Sequence, residues 1–88
     1  MPVKPVRISP HARFEMSRRS ILPGEVVRTI RHPGQVLPSI KGPEIYQSLI
    51  GPARRRMLLR VVVKELAGAY LVVTVYKTSK VARYWRTP

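Results

Sequence analysis

The side chains in this chain that could act on a phosphodiester without a metal ion are arginine, tyrosine and histidine. An arginine can hold a phosphate and stabilise its developing negative charge, while a tyrosine or a histidine can move protons. Arg60 and Tyr76 lie within two runs rich in valine, and His11 directly follows a proline. We therefore take His11, Arg60 and Tyr76 as catalytic candidates: Arg60, with Lys77, would hold the phosphate, and Tyr76 or His11 would handle the proton.

Each of these candidates also has a structural interpretation. Arg60 could be a solvated strand residue that pairs across the sheet. If Arg60 is catalytic, Arg60→Ala should leave folding intact, because an exposed strand arginine is cheap to truncate, and should remove cleavage. The ring of Tyr76 could simply cover the sheet. His11 could be an ordinary residue at a helix start, although the helix dipole there favours the neutral imidazole that a base requires. The sequence leaves these alternatives open.

Further cations are candidates for contacts with nucleic-acid phosphates. One group is a run of arginines in a turn, and the other alternates with Tyr84 and Trp85 near the C-terminus. Cations that hold phosphates and rings that stack on bases are typical of single-stranded nucleic-acid binding. Trp85 could instead pack on the sheet as a core residue. The phosphate-contact candidates are Arg54, Arg55, Arg56, Lys77, Lys80 and Arg83.

Composition narrows the classes of function. The chain has 88 residues, 17 lysines and arginines, four glutamates and a net charge of +13, so we expect a polyanionic partner. Cysteine is absent, and neither the glutamates nor His11 and His32 follow a metal-ligand spacing. We expect no metal and no cofactor. We also expect no membrane span, because the longest apolar stretch, residues 66–76, is too short, and we expect a cytoplasmic protein.

The hydrophobic pattern predicts two helices followed by strands. Ser9 and Pro10 fit an N-cap and a first helical position, which predicts a helix over 10–19. A second helix is predicted over 23–32, ending at Pro33 and Gly34, although Leu22 offers no capping oxygen. Four strands are predicted at 35–40, 44–50, 57–64 and 69–77, and Pro38 places the first of these at a sheet edge. Residues 1–8 form an extension and 78–88 a basic, aromatic tail.

The last two predicted strands indicate which face of the sheet is polar. A three-residue loop with Gly68 in the left-handed region would pair Val61 with Val73 and set Arg60 opposite Thr74, diagonal to Tyr76. The helices would then cover the aliphatic face and leave the face with Arg60, Thr74 and Tyr76 open. The expected architecture is one α+β domain over 1–88, with two N-terminal helices and a four-stranded antiparallel sheet.

Several motifs in order resemble a small prokaryotic family of unknown function that is similar to the RelE/ParE/BrnT toxin superfamily. They are His11-Ala12 with Met16, Arg19 and Ile21, I-Y-Q at 45–47, L-R-V-V-V at 59–63 and V-V-T-V-Y-K-T-S-K at 72–80. The resemblance implies a RelE-like fold with His11, Arg19, Arg60 and Tyr76 as site residues and Lys77 and Lys80 on phosphates. Glu15 and Leu22 depart from the family pattern.

The resemblance implies a metal-independent ribonuclease acting on RNA, including messenger RNA at the ribosome, with an acidic antitoxin as protein partner. The alternative is a binding module without catalysis, in which the same basic surface docks on RNA or on an acidic antitoxin-like protein. Both hypotheses agree with the positive charge of the chain, but ribosome-linked cleavage and the antitoxin are implied by the resemblance alone.

Overall fold

The computed structural model describes residues 3–39 and 42–87 of the chain, and in these ranges it has an α+β fold. None of the helices in these ranges is long and apolar enough to cross a membrane. The helices and strands follow in chain order: β1 Val6–Ile8, α1 Pro10–Arg18, α2 Pro23–Arg31, β2 Gln35–Leu37, β3 Glu44–Ile50, a 3-10 turn Ala53–Arg55, β4 Met57–Glu65, β5 Tyr70–Thr78 and α3 Val81–Tyr84.

The first two helices begin where their sequences predict. Ser9 is the N-cap of α1, and its Oγ accepts a hydrogen bond from the backbone N–H of Ala12 at 3.0 Å. Leu22 gives α2 no side-chain cap. Instead, Oε1 of Glu25 accepts the backbone N–H of Leu22 at 3.0 Å, which satisfies a donor that the helix start would otherwise leave free.

The five strands of the described residues form one mixed sheet in the order β1-β5-β4-β3-β2. Four of the strands, β2 to β5, are antiparallel as predicted, and β2 lies at an edge as Pro38 indicated. Position 40, the last of the predicted 35–40 strand, lies outside the described residues. The prediction missed β1, which pairs in parallel with β5. A three-residue strand carries too little alternation to be recognised before its partner is known.

The predicted register of β4 against β5 is wrong by two residues beside Arg60. Val61 pairs with Val75, and Arg60 lies directly opposite Tyr76 rather than diagonal to it. Part of the shift comes from the hairpin, where Leu66 N–H donates to Ala69 C=O at 2.8 Å and Gly68 has no positive φ. The rest comes from a bulge in β5 opposite Val62 and Val63. The hairpin and the bulge each shift the register by one residue, and together they shift it by two. Since side chains alternate between faces with a period of two, Arg60 and Tyr76 still share a face.

The hydrophobic core lies between α1, α2 and one face of the sheet, which we call the helix face. Ala12 and Met16 of α1 and Val26 and Ile30 of α2 are buried there. The sheet contributes buried apolar side chains to the same cluster: Tyr46, Leu59, Val61, Val63, Val72 and Val75. The aliphatic face predicted for β4 is thus the one that the helices cover. In β5 the prediction is correct for Val75 but wrong before the bulge, where Val72 and not Leu71 faces the helices, because the hairpin shifts the register there by one residue.

The opposite side of the sheet, which we call the Arg60 face, is not open as predicted. The C-terminal segment, residues 81–87, crosses it from the end of β5 toward β2. Its contacts follow the strand order, because Tyr84 lies against Arg60 of β4 and bonds to Gln47 of β3, and Arg86 bonds to Gln35 of β2. Arg60 is therefore buried, with 7% of its surface exposed.

Candidate functional site

Arg60 is the centre of a polar cluster on the Arg60 face. Its Nε donates to Oε1 of Gln47 at 2.9 Å, and its Nη1 donates to the hydroxyl oxygen of Tyr76 at 2.5 Å. The guanidinium carbon lies 4.4 Å from the ring centroid of Tyr84 and 5.6 Å from that of Tyr76. The cation is thus held by an amide, a phenol and two aromatic rings.

No carboxylate forms an ion pair with Arg60 among the described residues. The positive charge is compensated only by neutral dipoles and ring faces, an arrangement that would also accept an anion if Tyr84 moved. In the present arrangement Tyr84 lies where a phosphate on that side of the guanidinium would have to bind. Arg60 and Tyr76 are thus in contact, and Tyr84 covers the guanidinium.

Gln47 belongs to this cluster, although the sequence analysis named it only within the I-Y-Q motif and not as a site residue. Its side chain is fully buried, and its Nε2 donates to Oε1 of Gln35 at 2.7 Å and to the backbone oxygen of Tyr84 at 3.2 Å. Gln47 therefore connects the arginine to the C-terminal segment. An amide in the middle of an apolar strand was the available signal, because a buried polar side chain requires a partner.

His11 does not join Arg60 and Tyr76. It is exposed at the start of α1, on the helix side of the sheet. The sheet separates the imidazole from the Arg60 guanidinium. The structure therefore brings together two of the three catalytic candidates.

Arg19 lies at the end of α1 in an ion pair. Its Nε is 2.9 Å from Oε2 of Glu15, and Nη2 of Arg18 is 3.1 Å from the same oxygen. The hydrogen bond from Arg19, aided by Arg18, lowers the pKa of the Glu15 carboxyl below its ordinary value. This ion pair engages one side of the Arg19 guanidinium, which leaves fewer of its donors for a phosphate.

The arginines of the turn and the cations that follow β5 lie at the same end of the sheet. Leu58, near the start of β4, pairs with Thr78 at the end of β5, so the residues just before β4 and just after β5 are neighbours. Their side chains are exposed, except for the half-buried Lys77. We call this set the basic end: Arg54, Arg55, Arg56, Lys77 and Lys80.

Charge pairing leaves most cations of the chain without an acidic partner. Among residues 3–39 and 42–87, only Lys4, Arg18 and Arg19 form ion pairs, and they use Glu65 and Glu15. A third carboxylate, that of Glu25, accepts a backbone N–H. The basic end, with Arg83 beside Tyr84, therefore presents its charge to solvent.

The described residues hold no group of three histidine, cysteine, aspartate or glutamate side chains that could ligate a metal ion. No family model, no curated protein and no solved structure matches the chain.

Proposed function

We propose that this protein binds RNA through the basic end, as a RelE-like domain whose Arg60 face is closed by its own C-terminal segment. The observation that carries the proposal is the charge of the basic end, which has no ion-pair partner among the described residues and is exposed except at Lys77, in a chain with a net charge of +13. Clustered arginines and lysines neutralise phosphates and release their counterions, which supplies affinity without sequence selectivity.

Salt dependence of binding tests this proposal. A fluorescently labelled single-stranded RNA is titrated with protein at several salt concentrations, and the logarithm of the affinity is plotted against that of the salt concentration. Each phosphate contact contributes about −0.7 to the slope for a single strand. We expect the double variant Arg54→Gln/Arg55→Gln to make the slope shallower by about 1.4 for two lost contacts.

Arg7 and Arg13 provide a matched control. Both are exposed, and Arg7 lies opposite Leu71, at the other end of β5 from Thr78. The double variant Arg7→Gln/Arg13→Gln removes the same charge but is expected to keep the wild-type slope. Equal slopes for the two double variants, or no RNA binding at low salt, would contradict the proposal.

RNA cleavage is the second candidate function, and the direct contact of Arg60 with Tyr76 favours it. An arginine that holds a phosphate beside a phenol that can transfer a proton is a plausible pair for metal-independent cleavage. Since Tyr84 covers the guanidinium, cleavage requires this ring to move. The full-length Tyr84→Ala variant should then cut a 5′-labelled RNA faster than the wild type.

The Tyr84→Ala/Tyr76→Phe variant is the control for this second candidate. Like Tyr84→Ala, it exposes the Arg60 guanidinium, but it lacks the phenolic proton of Tyr76. It should therefore leave the RNA intact. If Tyr84→Ala is folded by circular dichroism and cleaves no faster than this control, cleavage at Arg60 is excluded and RNA binding by the basic end remains.

A further inference from the structure

A notch beside the C-terminal segment lies outside both the Arg60 cluster and the basic end. It has a volume of about 500 Å³ and is lined by Arg28, His32, Gly34, Ser48, Leu49 and Trp85. Arg28, Ser48 and Leu49 also line a neighbouring groove of about 740 Å³ that reaches Arg56 and so the basic end. A path for an extended ligand therefore runs from the arginine turn to the ring of Trp85.

Trp85 is held at this notch by contact with Gly34. A Cβ added to Gly34 would lie 2.9 Å from Cη2 of the indole, so the ring packs directly on the glycine backbone. The indole is half-buried, so part of its surface remains accessible. A tryptophan ring that packs on one side and stays accessible on the other offers a flat surface to a ligand.

The charge around the notch favours an anion next to this ring. Arg28 is exposed and has no ion-pair partner among the described residues, and Arg56 uses one nitrogen to donate to the backbone oxygen of Gly51 at 2.9 Å. Glu25 also lines the larger groove, but its Oε1 accepts the backbone N–H of Leu22. Arginine beside a packed indole is the combination that holds one phosphate and one stacked base.

We infer that this notch is a nucleotide subsite for single-stranded RNA. An unstacked base lies on the indole of Trp85, and the phosphate next to it binds Arg28, while the rest of the strand follows the groove to Arg56. The inference rests on the proposed RNA binding and adds where a base is held. Duplex RNA is not accepted, because its bases are stacked and paired and cannot reach the ring.

Trp85 is the single tryptophan of the chain and therefore reports on its own subsite. Titration with a decamer of uridine should quench its fluorescence to saturation, whereas tripolyphosphate, which has charge but no base, should bind and leave the emission unchanged. Arg28→Gln should weaken the quenching titration about 3-fold or more. Arg13→Gln, an exposed arginine on α1, should leave it unchanged.

Substitution of the ring separates stacking from charge. Trp85→Leu should lower the affinity for the labelled decamer about 10-fold, and Trp85→Phe should recover most of it, because base stacking on an aromatic ring is lost in the first and kept in the second. Circular dichroism of both variants checks that substituting Trp85 leaves the fold intact.

The outcomes distinguish a failure of this nucleotide subsite from a failure of the proposed RNA binding by the basic end. If the decamer binds with a steep salt dependence but neither quenches Trp85 nor responds to Trp85→Leu, the subsite is wrong and RNA binding stands. If the decamer does not bind at all, both fail. If an acidic peptide binds and quenches Trp85 while the decamer does not, the notch is a peptide site and the inference is overturned.

Discussion

Arg60 donates a hydrogen bond to the hydroxyl of Tyr76 from the directly paired position of the neighbouring strand. A second hydrogen bond joins Arg60 to Gln47, its partner on the other neighbouring strand. Three adjacent strands are thus joined at one level by a buried cation. Arg60 has no ionic partner among the described residues, and burying such a charge is costly unless its N–H donors find acceptors. Here the oxygens of Gln47 and Tyr76 accept, and the Tyr84 ring lies against the guanidinium.

The sequence predicted that Arg60→Ala would leave folding intact, but Arg60 is buried, so this substitution should destabilise the fold. It leaves the Gln47 oxygen and the Tyr76 hydroxyl without their donor beneath Tyr84, and we expect a loss of about 2–4 kcal/mol in the free energy of unfolding. Urea denaturation measures this loss. Arg54→Ala is the matched control, because that arginine is exposed and its removal should stay within about 0.5 kcal/mol. Equal midpoints for the two variants would mean that Arg60 is not held as described.

Gly34→Ala should displace Trp85, because the new Cβ would lie 2.9 Å from the indole and 3.1 Å from the backbone oxygen of Gln47. We expect the tryptophan emission to shift to longer wavelength as the ring becomes more exposed, together with a lower melting temperature. Gly68→Ala is the control, since a Cβ there meets nothing within 4 Å. An unchanged emission spectrum in Gly34→Ala would show that the ring is not packed on this glycine.

Ser9→Ala should lower the stability of the chain by about 1–2 kcal/mol, the usual effect of losing an N-cap. The hydroxyl accepts from Ala12 N–H at 3.0 Å and donates to the backbone oxygen of Val73 at 3.0 Å, next to the bulge. Its loss therefore affects both α1 and β5. Thermal unfolding measures the effect, and Ser17→Ala, at an exposed position of the same helix, should leave the melting temperature nearly unchanged.

The ion pairs of Glu15 should make stability depend on pH. The hydrogen bond from Arg19 lowers the pKa of Glu15 in the folded state, so its contribution is full above the ordinary glutamate pKa and is lost as pH falls through the lowered value. The wild type should exceed Glu15→Gln in stability at pH 7, and the gap should close in acid. The gap should also narrow at 1 M salt, which screens exposed pairs.

The elements that could be predicted from sequence are those whose signals lie within a few neighbouring residues. The Ser9-Pro10 cap marked the start of α1, and Pro33-Gly34 marked the end of α2. The alternation around Val61 identified β4 and its buried face, and the alternation around Val75 identified β5, although it placed Val72 on the wrong face. Local patterns of this kind report what one strand or helix buries, because they follow from the geometry of that element alone.

The site was predictable only in part. That Arg60 and Tyr76 share a face followed from alternation, but their direct contact depended on the loop and the bulge, which shift the register without changing the face. That His11 lies across the sheet from them depended on which side α1 packs. These facts are set by pairings between distant segments, which a single residue pattern does not encode.

The sequence by itself determined the excess of positive charge, the two N-terminal helices and the apolar face that they cover. Tertiary structure decided that residues 6–8 add a strand beside β5 and that residues 81–87 lie over Arg60. Both segments are short, so their own residues specify little, and their positions come from contacts with partners more than 20 residues away, such as Gln47 with Tyr84. Such contacts form only once the sheet exists. They bury Arg60, which the sequence predicted to lie on an open face.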